Sequence, residues 1–413
     1  MTSRHVLSVY VVLTLLSTLA SSFIWGINTL FLLDAGLSIT QAFAANAFFT
    51  VGEVIFEVPT GVVADTTGRR TSYLLGAATL FASTLLYLLM WRIHGPFWGW
   101  ALSSVLLGLG FTFFSGATEA WLVDGLNATH YAGRLESAFA KGQIAQGAGM
   151  LVGTIAGGLV AQATNLGVPY LMRAATLVMT FAVAFVWMHD IGFTPRRTGS
   201  LVGEVGRVLR SSFEGGLRRP PVRFMMLAGV FTAAVPIYGF YAMQPYLLEL
   251  HGREDYRIAG ASAALVAASQ ITGGLLVPWA SRLYSRQTSA LLVLTVASAA
   301  ALLVIGLVPR FWVVLVLLAA WALVFAAAGP IRQAFLNDRI PSEQRATVLS
   351  SDNLLGSLGG ALAQPGLGRI AEARGYPASY LAAAAVELLA LPFLLLAAAK
   401  DRRSEGGTDE QGA

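Results

Sequence analysis

The amino-acid sequence predicts an all-α membrane protein of twelve transmembrane helices, paired as two pseudo-symmetric six-helix bundles. Three observations lead there. Only 12% of the 413 residues are charged while 56% are hydrophobic, apolar runs long enough to cross a bilayer recur along the chain, and a basic segment near the middle divides them six and six. Soluble domains carry roughly a quarter charged residues. With a mean hydropathy of +0.66, this chain has too few polar groups to cover a water-facing surface, and lipid must be the solvent for most of it.

A crossing helix needs about 20 mostly apolar residues. Spans are expected near 7–32, 40–64, 72–92, 97–122, 139–163, 168–189, 223–249, 257–281, 287–308, 311–336, 347–368 and 377–399. The first begins like a secretion signal (MTSRHVLSVYVVLTLLSTLASS), but its apolar run continues through Phe23 and Ile24 to Leu33. That is too long for a signal core, so it is read as the first helix. The expected organisation is a bundle over 1–189, a cytoplasmic linker over 190–222, a second bundle over 223–399 and a disordered cytoplasmic tail over 400–413. In the linker, Leu201, Val205, Val208, Leu209 and Phe213 recur at helical spacing with Arg207 and Arg210 on another face. This pattern suits an amphipathic helix lying on the inner membrane surface.

The arginines set the orientation. With both termini inside, 20 of the 27 basic residues fall on cytoplasmic segments, while Arg92, Arg173, Arg253, Arg257, Arg310, Arg369 and Arg374 fall outside. The positive-inside rule therefore selects a cytoplasmic N-terminus and C-terminus in the cell (plasma or inner) membrane. Trp91, Trp98, Trp100 and Trp312 would then form an outer aromatic belt, and Trp121, Trp187 and Trp279 an inner one.

Several function classes drop out. There is no cysteine, so disulfides, thiolate chemistry and cysteine metal sites are excluded. The five histidines are scattered without HExxH-like spacing, which argues against a metal site or a catalytic triad, and so against an enzyme. No GxxxxGK[ST] loop is present to bind ATP, and no cofactor is expected. The net charge of +5 comes from short separated clusters, better explained by cytoplasmic loops than by nucleic-acid binding.

The halves echo each other. Trp25-Gly26 matches Tyr238-Gly239; Glu53 falls on Gln270, Gly61 on Pro278, Asp65 on Arg282 and Arg69 on Arg286. Near the fifth helix of each half, Arg134 falls on Arg345, Gly149 on Gly360 and Gly157 on Gly368. Transporters place their substrate at the midplane between such repeats.

One stretch, FEVPTGVVADTTGRR over Phe56–Arg70, puts acids and a proline into an apolar helix and closes on a charged turn. Gly61 would let a neighbouring helix approach, Gly68 would supply a permissive turn, and Arg69 and Arg70 would anchor it. Asp65, at a helix C-terminus where the dipole disfavours an anion, needs a compensating arginine or helix N-terminus. Gly61-x-x-x-Asp65-x-x-Gly68-Arg69-Arg70 resembles the signature of the major facilitator superfamily, and the resemblance covers nearly the whole chain. SGATEAWLVD (Ser115–Asp124) and NDRIPSEQRATVLS (Asn337–Ser350) resemble a poorly characterised bacterial branch of it. The resemblance implies a monomeric transporter of a small-molecule substrate. It also implies that Asp65 latches the halves together in the outward-facing state, through the start of span eleven around Arg345. Two departures count against drug–proton antiport in particular. Thr112, followed by Ser115-Gly116, stands where such antiporters carry arginine before Gln-Gly, and the glycine-rich fifth span has Thr154 where a kinking proline is expected.

Acids at bilayer depth cost at least roughly 2.5 kcal/mol each and so mark function by default. Glu53, whose counterpart Gln270 cannot titrate, is the first candidate proton carrier, Glu57 one turn on is the second, and Glu119 and Asp352 follow. Each could instead be a buried acid paired with a neighbour such as Arg332 or Lys141, or kept protonated; Glu387, on the peripheral last span, favours that structural reading. Trp25, Asn28 and Asn46 in the first half and Tyr238, Tyr241, Gln244 and Gln270 in the second are the candidate cavity residues. Aromatic faces with a few amides suit an amphipathic organic molecule, though they could equally pack helix on helix. The leading reading is a proton-coupled exporter of such molecules. A nutrient importer or uncoupled facilitator and a non-transporting sensor or partner subunit remain open.

Overall fold

The structure, a computed structural model, describes residues 2–195, 218–284, 286–340 and 342–409, with side chains described for all of these except 276–283, 342–347 and 402–409. The expected linker helix therefore lies outside the described residues. Among them the chain is helical throughout, without strands. The elements are α1 (Ser3–Trp25), α2 (Asn28–Asp34), α3 (Ile39–Thr67), α4 (Arg69–Ile93), α5 (Phe97–Phe114), α6 (Ala117–Ala128), α7 (Leu135–Ala163), α8 (Val168–Trp187), α9 (Pro220–His251), α10 (Tyr256–Leu283), α11 (Gln287–Leu307), α12 (Phe311–Arg339), α13 (Ser342–Leu388) and α14 (Ala390–Asp409).

Among the described residues eleven stretches are long and apolar enough to cross a membrane, and the last, Val348–Asp401, has 54 residues. At about 1.5 Å per residue that is more than twice the roughly 30 Å of a bilayer core. It breaks at Gly375, whose φ of 83° belongs to the left-handed region. Two crossings meet there, which brings the total to the twelve expected. The first and fourth spans are not single helices. The first is interrupted at Gly26–Ile27, where Ile27 has φ −129° and ψ 0°. The fourth is interrupted at Ser115–Gly116, where Gly116 has φ 68°. α14 continues past the expected boundary at 399 to Asp409.

The chain divides into two compact units, Met1–Val205 with Gly252–Ala264, and Gly206–His251 with Leu265–Ala413. In each, the first helix of a half packs on the fifth. Lipid tails are as apolar as leucine, so such helices associate through close backbone packing at small residues. Gly149 lies against the Leu15 carbonyl, where a β-carbon would come within 3.1 Å, and Gly157 lies against the Phe23 carbonyl. In the second unit Gly359 meets the Val230 carbonyl in the same way. α7 contains no proline, and its Thr154 hydroxyl donates to the Met150 carbonyl at 2.8 Å.

The tryptophan belts need correction. Trp98 and Trp312 are exposed, as membrane-interface residues should be, but Trp100 is fully buried, edge-on to Phe31 at 5.9 Å and Tyr87 at 5.6 Å. Trp121 is buried too, its indole N–H donating to the His189 carbonyl at 2.8 Å. Both are core anchors whose polar handle is satisfied inside. Arg173, expected on an outer segment, is buried in α8, and its Nε donates to the Thr84 hydroxyl at 3.0 Å.

Candidate transport site

The first unit holds an open cavity of about 590 Å³. α1 lines one wall with Thr14, Ser17, Thr18 and Ser21, one helical face in an otherwise apolar helix. Their hydroxyls are partly spent on the helix itself, Ser17 donating to the Thr14 carbonyl at 3.2 Å and Ser21 to the Ser17 carbonyl at 3.0 Å. Glu53 reaches the cavity from α3, Gln143 and Gln146 from α7, and Trp25 from the end of α1. Glu119 reaches it from α6 because the span is broken at Ser115–Gly116. The break starts a new helix whose first turn contains Glu119, where the helix dipole favours an anion. Two carboxylates thus share a cavity whose lining, among the described residues, contains no lysine or arginine.

Glu53 owes its position to close packing of α3 on α5. A β-carbon on Gly52 would come within 2.6 Å of the Val105 carbonyl oxygen, and one on Gly108 within 2.7 Å of the Glu53 amide nitrogen. These glycines, not Gly61, let the helices approach. A β-carbon on Gly61 meets nothing within 4 Å among the described residues, so none of these provides the close approach expected for it.

The signature segment forms a second polar centre at the α3–α4 turn. Gly68 has φ 113°, and Asp65 pairs with Arg69 one turn on at 2.6 Å. Arg69 also stands 3.9 Å from Asp124, near the end of α6. Arg70 donates its backbone N–H to Asp190 at 2.9 Å and its guanidinium to the Phe185 carbonyl at 2.7 Å. Half-burial raises the Asp190 carboxyl above its ordinary value, opposed by the Arg70 N–H and the two guanidinium groups. The arginine that Asp65 needs is therefore its own neighbour in the motif. The Arg345 side chain lies outside the described residues.

A family profile described as Major Facilitator Superfamily matches residues 10–364 and 259–413. The chain belongs to that superfamily. Among solved structures, the nucleoside transporter NupG is similar at 12% identity, with 95% of this chain and 98% of that one covered and a TM-score of 0.77. A bacterial homologue of the human lysosomal transporter Spinster, inward-facing and unoccupied, is 15% identical over 96% and 97% of the two chains, TM-score 0.73. A D-xylose–proton symporter is 15% identical over 95% and 96%, TM-score 0.68. No curated protein matches the sequence. The protein is thus a multi-pass membrane transporter of the superfamily and not an enzyme.

Within this superfamily transporter the other expected site residues scatter. Glu57 is exposed, accepts from the Ser115 hydroxyl at 3.0 Å and does not line the cavity. Asn28 and Asn46 hydrogen-bond each other at 2.9 Å in the buried interior, and the Tyr170 hydroxyl donates to Asn28 at 2.9 Å. They join α2, α3 and α8 rather than line the cavity. Tyr238 is buried with its hydroxyl on Ser379 at 2.5 Å, and Gln244 is fully buried. Tyr241 and Gln270 are half-buried. None of these four lines the cavity of about 400 Å³ in the second unit. Asp352 does line it, but paired with Arg332 through both guanidinium Nη atoms, the paired alternative that the sequence left open.

The sequence reading missed the hydroxyl face of α1, although its 14–17–18–21 spacing was a usable signal. It also missed the member of the signature centre contributed from beyond α8, Asp190.

Proposed function

We propose that the protein is a proton-coupled exporter of small amphipathic organic molecules in the plasma or inner membrane, with both termini cytoplasmic. The supporting observation is the first unit's cavity, where Glu53 and Glu119 stand together without a lining cation among the described residues. Carboxylates so placed take up either protons or the positive end of a solute. Mutually exclusive occupancy of one site makes exchange, and an inward proton gradient then drives the solute out. The hydroxyls of Ser17 and Ser21 and the amides of Gln143 and Gln146 supply orienting hydrogen bonds, and Trp25, Phe111 and Phe114 supply an apolar wall.

Alternating access needs the motif centre to hold one state and release it in the other. In this reading the Asp65–Arg69 pair is the resting form of a latch, and Asp65 is shared with the start of α13 around Arg345 when the protein faces outward.

The test is solute flux in proteoliposomes with an imposed pH gradient, using a panel of amphipathic cations, neutral molecules and sugars. The native protein should accumulate a member of the panel against its gradient when the acidic compartment lies on the extracellular side of the protein. Glu53→Gln should leave only gradient-independent flux. A native protein indifferent to the pH gradient would refute proton coupling, and coupled flux in the same direction as the proton would make it an importer.

A further inference from the structure

The second unit contains a cavity of about 400 Å³ that shares no described lining residue with the one above. Its walls are mostly apolar, from Pro236 and Ile237 on α9, Leu294 on α11, and Val324 and Phe325 on α12. Among the described residues three charged side chains reach it: Arg332, Asp352 and Glu387. Arg332 and Asp352 neutralise each other through a two-pronged pair, and the guanidinium lies against Gly229, where any β-carbon would collide with it. Glu387 stands apart. It is 6% exposed and lines the cavity together with Ser298, and its Oε2 has no hydrogen-bond partner among the described residues.

A buried carboxylate oxygen without a partner carries its full desolvation cost. The last span is also an unfavourable place to keep an acid with no use, since charge there is expensive. The chemistry of the walls narrows what could satisfy it. An anion is excluded by the surplus negative charge, because Asp352 already occupies Arg332. A bare metal ion would find one carboxylate and a few hydroxyls where hard cations require about six oxygens. A cation with an apolar body fits both halves of the lining, and several hundred Å³ of mostly apolar space with a few fixed polar groups is the form of a ligand site.

We propose that this cavity binds a small amphipathic organic amine, its ammonium group on Glu387 beside Ser298 and its apolar body among Ile237, Leu294, Val324 and Phe325. The Arg332–Asp352 pair forms the polar rim and takes no part in charge recognition. The site does not depend on proton coupling through the first unit.

Equilibrium binding of radiolabelled 2-phenylethylamine to the full-length protein in nanodiscs tests it, with 2-phenylethanol as the neutral competitor of the same shape. The native protein should bind the amine saturably, and the alcohol should compete at least roughly tenfold more weakly, since only the amine offers a charge-assisted hydrogen bond. Glu387→Gln should weaken the amine by about tenfold or more. Ile237→Trp, which fills the cavity without touching the acid, should do the same and decides the matter if Glu387→Gln fails to fold. In a Glu53→Gln background the saturable component that Glu387→Gln weakens should persist, so loss of coupled transport with that component retained separates this site from the first. Absence of saturable binding to the native protein, equal competition by the alcohol, or unchanged binding in Ile237→Trp would each overturn the assignment.

Discussion

Asp190 occupies the space that a β-carbon on Gly68 would need, and its other oxygen accepts the backbone N–H of Arg70 at 2.9 Å. Gly68 is the residue before α4 and has no side chain to cap that helix. The cap comes instead from an acid 120 residues along the chain, placed where a helix N-terminus favours negative charge. Gly68 is therefore required twice, for its φ of 113° and for the room it leaves. Gly68→Ala should destabilise the protein by more than the roughly 1 kcal/mol of an ordinary helix-cap loss. Thermal unfolding in detergent checks this, and a melting temperature equal to the native one would contradict it.

Asp190 also predicts a pH dependence. Its carboxyl is raised by burial, so the native state holds the proton more tightly than the unfolded chain does. Stability from this group is present below the ordinary carboxylate value of 3.8 and is lost as pH rises through the higher folded value. Asp190→Asn keeps an acceptor for the Arg70 N–H and removes the titration. The variant should match the native protein in acid and gain on it towards neutral pH. Parallel melting curves at all pH values would contradict this.

Gly52 and Gly61 lie on the same helix and should respond oppositely. A side chain at Gly52 drives into the Val105 backbone, whereas one at Gly61 meets none of the described residues within 4 Å. Gly52→Leu should cost on the order of 1–3 kcal/mol or more by overpacking. Gly61→Ala should gain about 0.5–1 kcal/mol of helix stability. Unfolding of the two variants side by side reads both signs.

Arg332 should be hard to remove alone. Arg332→Ala leaves Asp352, 4% exposed, without its counter-charge, at a cost of about 3–5 kcal/mol. Arg332→Met with Asp352→Leu removes both charges and should recover most of that loss. A double variant no more stable than Arg332→Ala would show that the pair does more than neutralise itself.

The architecture was legible in the sequence because lipid imposes a strong signal. Apolar runs of crossing length were found within a few residues of the helices, from Ile39–Thr67 for the second span to Gln287–Leu307 for the ninth. Hydropathy reports that a helix is apolar, however, and not which face it turns to a neighbour. For this reason Trp100 and Trp121 read as interface residues although they are buried anchors. It is also why Asn28 and Asn46 read as cavity residues although they satisfy each other. The breaks at Ile27 and Gly116 were hidden for a related reason. One or two residues of altered backbone leave the apolar run unbroken, yet the second of them is what turns Glu119 into the cavity. Glu53 was visible because an acid at mid-helix is expensive. Asp190 was not, because no local pattern foretells a cap supplied from 120 residues along the chain.

The most direct measurement of proton coupling at Glu53 is proton release on solute binding. A transported solute is added to purified protein in weakly buffered solution containing a pH dye. The native protein should release protons in proportion to solute bound, and Glu53→Gln should bind the solute with release abolished or sharply reduced. Equal release from both proteins would contradict the assignment of Glu53 as the group that exchanges a proton for the solute.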